Sequence, residues 1–458
     1  TTTNMAAANV VVTKGQSANT VALGTLNVAT TNVDASAYKG ILTMTGGTGV
    51  AMTVSAKGGV ANTINTSTGS DTVTLAGKLG TAINVSNAST GTLDILNATA
   101  DNASTDFTSV QGYETINLSV TNGAAAGFDD TTKDDGLMLA TKVNILGGNS
   151  LSTFSVSAHT KNTAANTLDA SGFLGAIAIT TVADTLNSFQ TIKAGDMTTD
   201  AVTTIILGDQ KPALMTGVEK LTVKSTNNDT SASIDLANVT GLTSVVTSFT
   251  NASNDDQISL LNLASGVKVK TTVTQTQDQL VIGLTDVASE TNSLDLELTS
   301  FATVAADVLD LNAAGVETLN LTNKSALAGV VDLAGVDATS ATGFVTVNVA
   351  GTGATTLNAL NTDINVVNAS AATGGLTLAA ASRDTDAMTV TGGYGVDSIT
   401  MENVADVMDG GAGTSDTLNI TETGILGGIA IDLSAADQIT SYDSVGNAAV
   451  QKNFENIN

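Results

Sequence analysis

The chain has no cysteine and no tryptophan, a single proline (Pro212), a single histidine (His159) and a single arginine (Arg383). Each absence excludes something. Without cysteine there is no disulfide framework and no thiol chemistry, so stability must come from ladder hydrogen bonds, packing or metal. One histidine cannot build a His-cluster zinc site, and His159, in Ser157-Ala158-His159-Thr160-Lys161, sits among polar residues as a solvated surface group would. No Gly-x-Ser-x-Gly nucleophile elbow is present. A carbohydrate-cleaving β-helix would need aromatic platforms and clustered acid and base groups. The chain has nine Phe and four Tyr in 458 residues, so the reading is of a protein that is not an enzyme. With 16 basic residues against 43 acidic ones, a net charge of −27 and no basic stripe, nucleic acid is not an expected partner. No apolar run is long enough for a helix to span a bilayer.

What is there is a β-former's alphabet. Apolar residues make up 42% of the chain, mostly Ala, Val, Leu and Ile, accompanied by abundant Thr. Small and β-branched side chains suit a thin core between pleated ladders. Short alternating segments recur: Met52-Thr53-Val54, Val73-Thr74-Leu75, Ile83-Asn84-Val85 and Leu93-Asp94-Ile95 early, Leu319-Asn320-Leu321, Val345-Thr346-Val347 and Met388-Thr389-Val390 later. Period-two alternation bounded by Gly, Asn, Ser and Asp predicts half-buried strands. A near-constant step predicts an elongated all-β array: β-solenoid or β-roll modules, or short-strand β-sandwich modules. Helical periodicity is weak, with Ala302 to Ala314 its best instance. The stretch 123–136, ending Asp129-Asp130-Thr131-Thr132-Lys133-Asp134-Asp135-Gly136, is the most loop-like, either solvated or a further cation site.

A longer phrase also repeats. Gly112-Tyr113-Glu114-Thr115-Ile116-Asn117-Leu118 returns as Gly217-Val218-Glu219-Lys220-Leu221-Thr222-Val223 and as Gly315-Val316-Glu317-Thr318-Leu319-Asn320-Leu321. The closing Asn453-Phe454-Glu455-Asn456-Ile457-Asn458 begins it again. The domain-sized intervals suggest four β-modules, 1–110, 111–215, 216–314 and 315–458. The phrase would open each module after the first, and its glutamate would fix a turn or bond backbone N–H groups. Starting without Met and stopping within this phrase, the chain reads as part of a longer polypeptide.

The closest thing to a chemical signature lies between Gly392 and Asn419. Gly392-Gly393-Tyr394-Gly395-Val396-Asp397-Ser398-Ile399-Thr400 fits the calcium nonapeptide G-G-x-G-x-D-x-U-x at every fixed position. Gly410-Gly411-Ala412-Gly413-Thr414-Ser415-Asp416-Thr417-Leu418 fits with one extra residue. Between them, Met401 to Asp409 puts Asp406 and Met408 in the aspartate and apolar slots but lacks the glycines. In a roll of nine-residue half-turns the first and third units lie on one side, about 4.8 Å apart. A cation between them would see Asp397, Asp416 and backbone carbonyls, the hard oxygens that Ca²⁺ prefers. Degenerate Asp-x-apolar phrases at Asp71, Asp256, Asp278 and Asp386 are either plain turns or further calcium sites.

These nonapeptides, the missing cysteine, the acidic Thr/Ala/Asn-rich composition and the repeated glutamate phrase together resemble calcium-dependent surface-layer proteins of Gram-negative bacteria, within the wider RTX group. The motif match is close only over 392–419, while composition and phrase extend over nearly the whole chain. The resemblance implies type I secretion and extracellular folding on Ca²⁺. It also implies self-assembly into a two-dimensional lattice at the cell surface, with a cell-surface polysaccharide as a possible further partner through a region that no motif marks. The family's ligating aspartates would fall on Asp397 and Asp416, and its loop glycines on Gly392, Gly393, Gly395, Gly410, Gly411 and Gly413. The alternatives are the stalk of a secreted RTX adhesin, with its binding tip elsewhere, and an autotransporter-type passenger.

Overall fold

The computed structural model describes residues 7–13, 19–47, 51–58, 60–66, 68–78, 84–87, 93–100, 110–129, 140–158, 166–181, 186, 189–225, 231–249, 256–273, 278–301, 307–338, 343–379, 387–403, 405–421, 429–431, 433–434, 438–442 and 450–458. The fold is all-β, a parallel β-solenoid, with no α-helix among the described residues. None of them forms a helix long and apolar enough to cross a membrane. The segment offered as the best helical candidate is, over Val308–Ala314, a strand: its alternation of Leu309, Leu311 and Ala313 inward with Asp310 and Asn312 outward has period two. Ala125–Asp129, inside the stretch expected to be loop, is also a strand. His159 and Asp386 lie outside the described residues.

Two compact units are present: Thr1–Thr204 with Lys211–Leu221 and Asn238–Leu242, and Ile205–Gln210 with Thr222–Ala237 and Thr243–Asn458. In the first unit, every second strand joins one continuous parallel sheet, and the strands between them form a five-stranded sheet up to Val110–Gln111 and a different sheet from Ala125–Asp129 onward, so each coil of chain contributes one strand to each side. One parallel sheet contains Thr53–Lys57, Thr72–Lys78, Ile95–Ala100, Thr115–Val120 and Lys142–Gly147 in that spatial order. Its register aligns Val33, Val54, Val73, Leu96, Ile116, Val143 and Leu168 into one inward column. All seven are buried. Burying each such side chain is worth about 1.5–3 kcal/mol, and the column continues because every coil repeats the same alternation.

The second unit has the same plan. A front sheet runs through Ser244–Phe249, Lys268–Val273, Ser293–Phe301, Thr318–Asn323, Val345–Gly351, Ile364–Ala372, Thr389–Thr391 and Val407–Asp409. A back sheet runs through Gln257–Leu263, Asp278–Leu284, Val308–Ala314, Gly329–Asp337, Thr355–Asn358, Leu376–Leu378, Ser398–Met401 and Thr417–Ile420. Leu309, Val331, Leu357, Leu378, Ile399 and Leu418 form the inward column of the back sheet. On the outer faces, amides stack in the same way. Asn144 Nδ2 donates to Asn117 Oδ1 (2.6 Å), and Asn117 Nδ2 to Asn97 Oδ1 (2.7 Å). Asn348 donates to Asn320 (2.9 Å), and Asn320 to Asp295 (2.7 Å).

The repeated phrase has one conformation throughout. Its first residue is left-handed in every copy, with φ of 77° at Gly112, 68° at Gly217, 73° at Gly315 and 60° at Asn453. Its second residue, Tyr113, Val218, Val316 or Phe454, is buried. The phrase strands lie within continuous ladders: Thr115–Val120 pairs with Ile95–Ala100 on one side and Lys142–Gly147 on the other. A Cβ at Gly315 would come 2.7 Å from the Val287 carbonyl oxygen, whereas one at Gly123 (φ 74°) would meet nothing within 4 Å. Gly315→Ala should therefore cost about 2–3 kcal/mol and Gly123→Ala about 1 kcal/mol, read by chemical denaturation. Equal costs would remove coil-to-coil contact as the constraint on the phrase.

Candidate functional site

Where the chain turns into a strand, the first backbone N–H of the coil points along the stacking axis toward the next coil. A buried N–H without an acceptor costs about 1–3 kcal/mol. In this protein a carboxylate from the next coil supplies the acceptor. Met52 N–H donates to Asp71 Oδ1 (2.7 Å), Asp71 N–H to Asp94 Oδ1 (2.6 Å), and Asp94 N–H to Glu114 Oε2 (2.8 Å). A second file runs Ile177 N–H to Asp200 Oδ1 (2.9 Å) and Asp200 N–H to Glu219 Oε2 (3.1 Å). In a third position Asn292 N–H donates to Glu317 Oε2 (2.7 Å). The fourth runs Leu376 N–H to Asp397 Oδ1 (2.6 Å), Asp397 N–H to Asp416 Oδ1 (2.8 Å), and Asp416 N–H to Glu455 Oε2 (2.7 Å). Asp71, Asp94, Asp200, Asp397 and Asp416 are fully buried.

Every phrase glutamate therefore ends a file. The reason is local. Glu219, Glu317 and Glu455 turn their own N–H groups back onto the carbonyls of Asp200, Asn292 and Asp416 (each 3.1 Å), so no carboxylate is required from the following coil. The expectation that these glutamates bond backbone N–H groups fits this geometry. The aspartates at 94 and 200 were not singled out from the sequence, although Leu93-Asp94-Ile95 and Thr199-Asp200-Ala201-Val202 carry the same Asp-before-strand signal.

The glycine turns at 392–419 sit on the fourth file. Ser398 pairs with Thr417 and Ile399 with Leu418, so the first and third units are adjacent in the back sheet. The middle unit enters the front sheet, where Val407–Asp409 pairs with Thr389–Thr391. Its Asp406 accepts Met388 N–H (2.8 Å) with Oδ1, and Glu402 and Asn403 N–H (3.3 and 3.0 Å) with Oδ2. The glycines are required by backbone stacking. A Cβ at Gly392 would overlap the Gly410 carbonyl oxygen and Asp397 Oδ2; one at Gly395 would overlap Gly374, at Gly410 the Asn453 carbonyl, and at Gly393 the Ala372 carbonyl. Gly411 adds a left-handed φ of 94°. Asp71 is in the first file, while Asp256 and Asp278 lie buried at the entrances of neighbouring back-sheet strands.

The two turn aspartates differ in what remains available to a cation. Both Asp397 oxygens accept a backbone N–H, Oδ1 that of Leu376 and Oδ2 that of Gly393 (2.7 Å). Asp416 Oδ2 is buried and has no hydrogen-bond partner. A Cβ at Gly413 would meet the Gly395 carbonyl oxygen and, at 2.9 Å, both Asp416 carboxylate oxygens, so these hard oxygens converge on one side of Gly413. This orphaned oxygen and converging carbonyl fit a hard cation such as Ca²⁺. Among the described residues no group of three or more His, Cys, Asp or Glu side chains could hold a metal, so turn carbonyls would have to complete the shell.

Electrostatics single out the same residue. Burial pushes Asp416 up to about 6, and the charges of Asp397 and Glu455 push the same way against the Asp397 N–H bond. Burial also raises Asp397, Asp200 and Glu219. Glu297 lies at the opposite extreme. Burial would raise it, but hydrogen bonds and charge from Lys268, Lys324 and Lys270 outweigh that and hold it at about 2. No family model matches the chain, and no curated protein is significantly similar to it.

These shifts have opposite pH signatures. Raised on folding, Asp416 contributes stability that is complete below about 3.8 and lost as pH rises through about 6. Lowered on folding, Glu297 contributes stability present above 4.5 and lost as pH falls toward about 2. In chelator, Asp416→Asn should flatten the fall in Tm between pH 4 and 7. Glu297→Gln should lower neutral-pH stability by about 2–3 kcal/mol and remove part of the acid-side loss. Wild-type pH profiles in both variants would contradict the two assignments.

Proposed function

We propose that the chain is the calcium-stabilised, β-rich body of a secreted bacterial surface-layer protein, with a structural role. The observation that carries this reading is the stacked pair of glycine turns with one buried carboxylate oxygen left without a donor. At neutral pH Asp416 is ionised beside Asp397 and Glu455, a local excess of negative charge inside a chain already at −27. Asp416, with the Gly395 carbonyl, would hold the ion, which would supply the positive charge that offsets this repulsion. Binding to the folded state alone couples metal to folding. Repetitive coils whose outer faces carry stacked Asn and Asp side chains suit lateral paving of a surface, and the net charge keeps unassembled chains soluble.

Calcium should raise Tm and chelation should lower it, with the larger response above pH 6. Asp416→Asn and Asp397→Asn should each reduce that response more than Asp332→Asn, a back-sheet control away from the turns. Equal effects from all three would remove the reason for assigning the ion to this corner. Electron microscopy with Ca²⁺ should give sheets or ordered polymers. Persistent single rods would favour the adhesin-stalk reading.

A further inference from the structure

Charge is distributed unequally between the two outer faces of the second unit. On the front sheet, Lys270 sits opposite Glu297 in register and Lys268 opposite Asp295. Glu297 is almost wholly buried beneath three ammonium groups, Lys268 Nζ at 2.7 Å, Lys324 Nζ at 2.9 Å and Lys270 Nζ at 3.4 Å. The lysine side chains stay 37–58% exposed. A sealed carboxylate thus holds three solvent-facing cations in a fixed cluster, in a chain with only 16 basic residues. The back sheet of the same coils is the reverse. None of its described strands carries a lysine or arginine. Its outward positions include Asp310 and Asp332, directly paired, and Asp235 and Asp337 at strand ends. Gln279 Nε2 holds Asp310 (2.8 Å), and Ala334 N–H holds Asp332 (3.0 Å), so these charges are also fixed.

We infer that the lysine face of one copy docks on the aspartate face of a second copy of this chain. The inference rests on the self-assembly reading above and names the contact. A front-to-back contact is heterologous: each union leaves one free front and one free back, so assembly continues instead of closing as a two-fold dimer would. Opposed charges on fixed side chains set orientation and favour association, whereas front-to-front and back-to-back encounters juxtapose like charges.

The test uses the whole chain with Ca²⁺ in sedimentation velocity, at about 0.1 M and about 1 M salt, where the screening length falls from about 10 Å to about 3 Å. Wild type should assemble at the lower salt and largely dissociate at the higher. Asp310→Asn/Asp332→Asn, which keeps side-chain shape, should raise the concentration needed for assembly about tenfold. Asp310→Lys/Asp332→Lys should not assemble alone. Its intact lysine face should still bind wild type, so substoichiometric amounts should shorten wild-type assemblies as a chain terminator. Circular dichroism and Tm establish that both variants are folded; if the lysine variant is not, the asparagine variant decides. If wild type assembles and the variants assemble equally well, the contact is overturned while the lattice reading stands. If wild type never assembles at either salt, the lattice reading fails and the contact with it.

Discussion

The structure depends on satisfying the backbone N–H that each coil presents to the next at its corner. In a sheet interior the ladder does this automatically, coil to coil. At the corners the chain is turning, its carbonyls point elsewhere, and water is excluded. A short carboxylate placed one residue before the next coil's strand answers the donor, and its own N–H then needs the same service from the coil beyond. This gives the recurrent chains from Met52 through Asp94 and from Leu376 through Asp416. Within the files aspartate and glutamate take different places. The shorter side chain reaches a donor one coil away without leaving the turn, and glutamate enters where the local backbone folds back and the file stops.

That arrangement has a cost in charge. Carboxylates stacked in a dry file repel one another and resist ionisation, as the elevation of Asp416 to about 6 registers. Backbone N–H bonds offset some of this, since each donor favours the charged form. Where every oxygen has a donor, as at Asp397, the file is complete by itself. Where one oxygen has none, as at Asp416, a proton or a cation can complete it, which links the corner's structural role to the proposed calcium role.

Much of the fold was legible in the sequence because one rule repeats. Period-two alternation with small β-branched residues marks Val54, Val73, Leu96 and Ile116 as one face, and the near-constant step puts them in one column. The register of the turns at 392–419 was legible for the same reason: glycine spacing fixes which coils stack. The segments least legible are those where a short window is ambiguous. Val308–Ala314 is rich in Leu and Ala and has good helix propensity, but the neighbouring strands on both sides decide its conformation. The Asp-to-N–H files were not legible, because acceptor and donor lie about 20 residues apart and nothing local to Asp94 or Asp200 names its partner. The Glu297 cluster was hidden likewise, since Lys268, Lys270 and Lys324 converge on it only through sheet register.

Amide hydrogen exchange is the most direct measure of whether these files hold the corners. In calcium-free protein the amides of Leu376, Asp397 and Asp416 should exchange only through large-scale opening, as slowly as the sheet amides of Ile399 and Leu418. Substituting Asp416 by Ala should release the Asp397 amide selectively, leaving the Leu376 amide protected by Asp397. Exchange of all three at the rate of exposed turns in the wild-type chain, with the sheets still protected, would contradict the account.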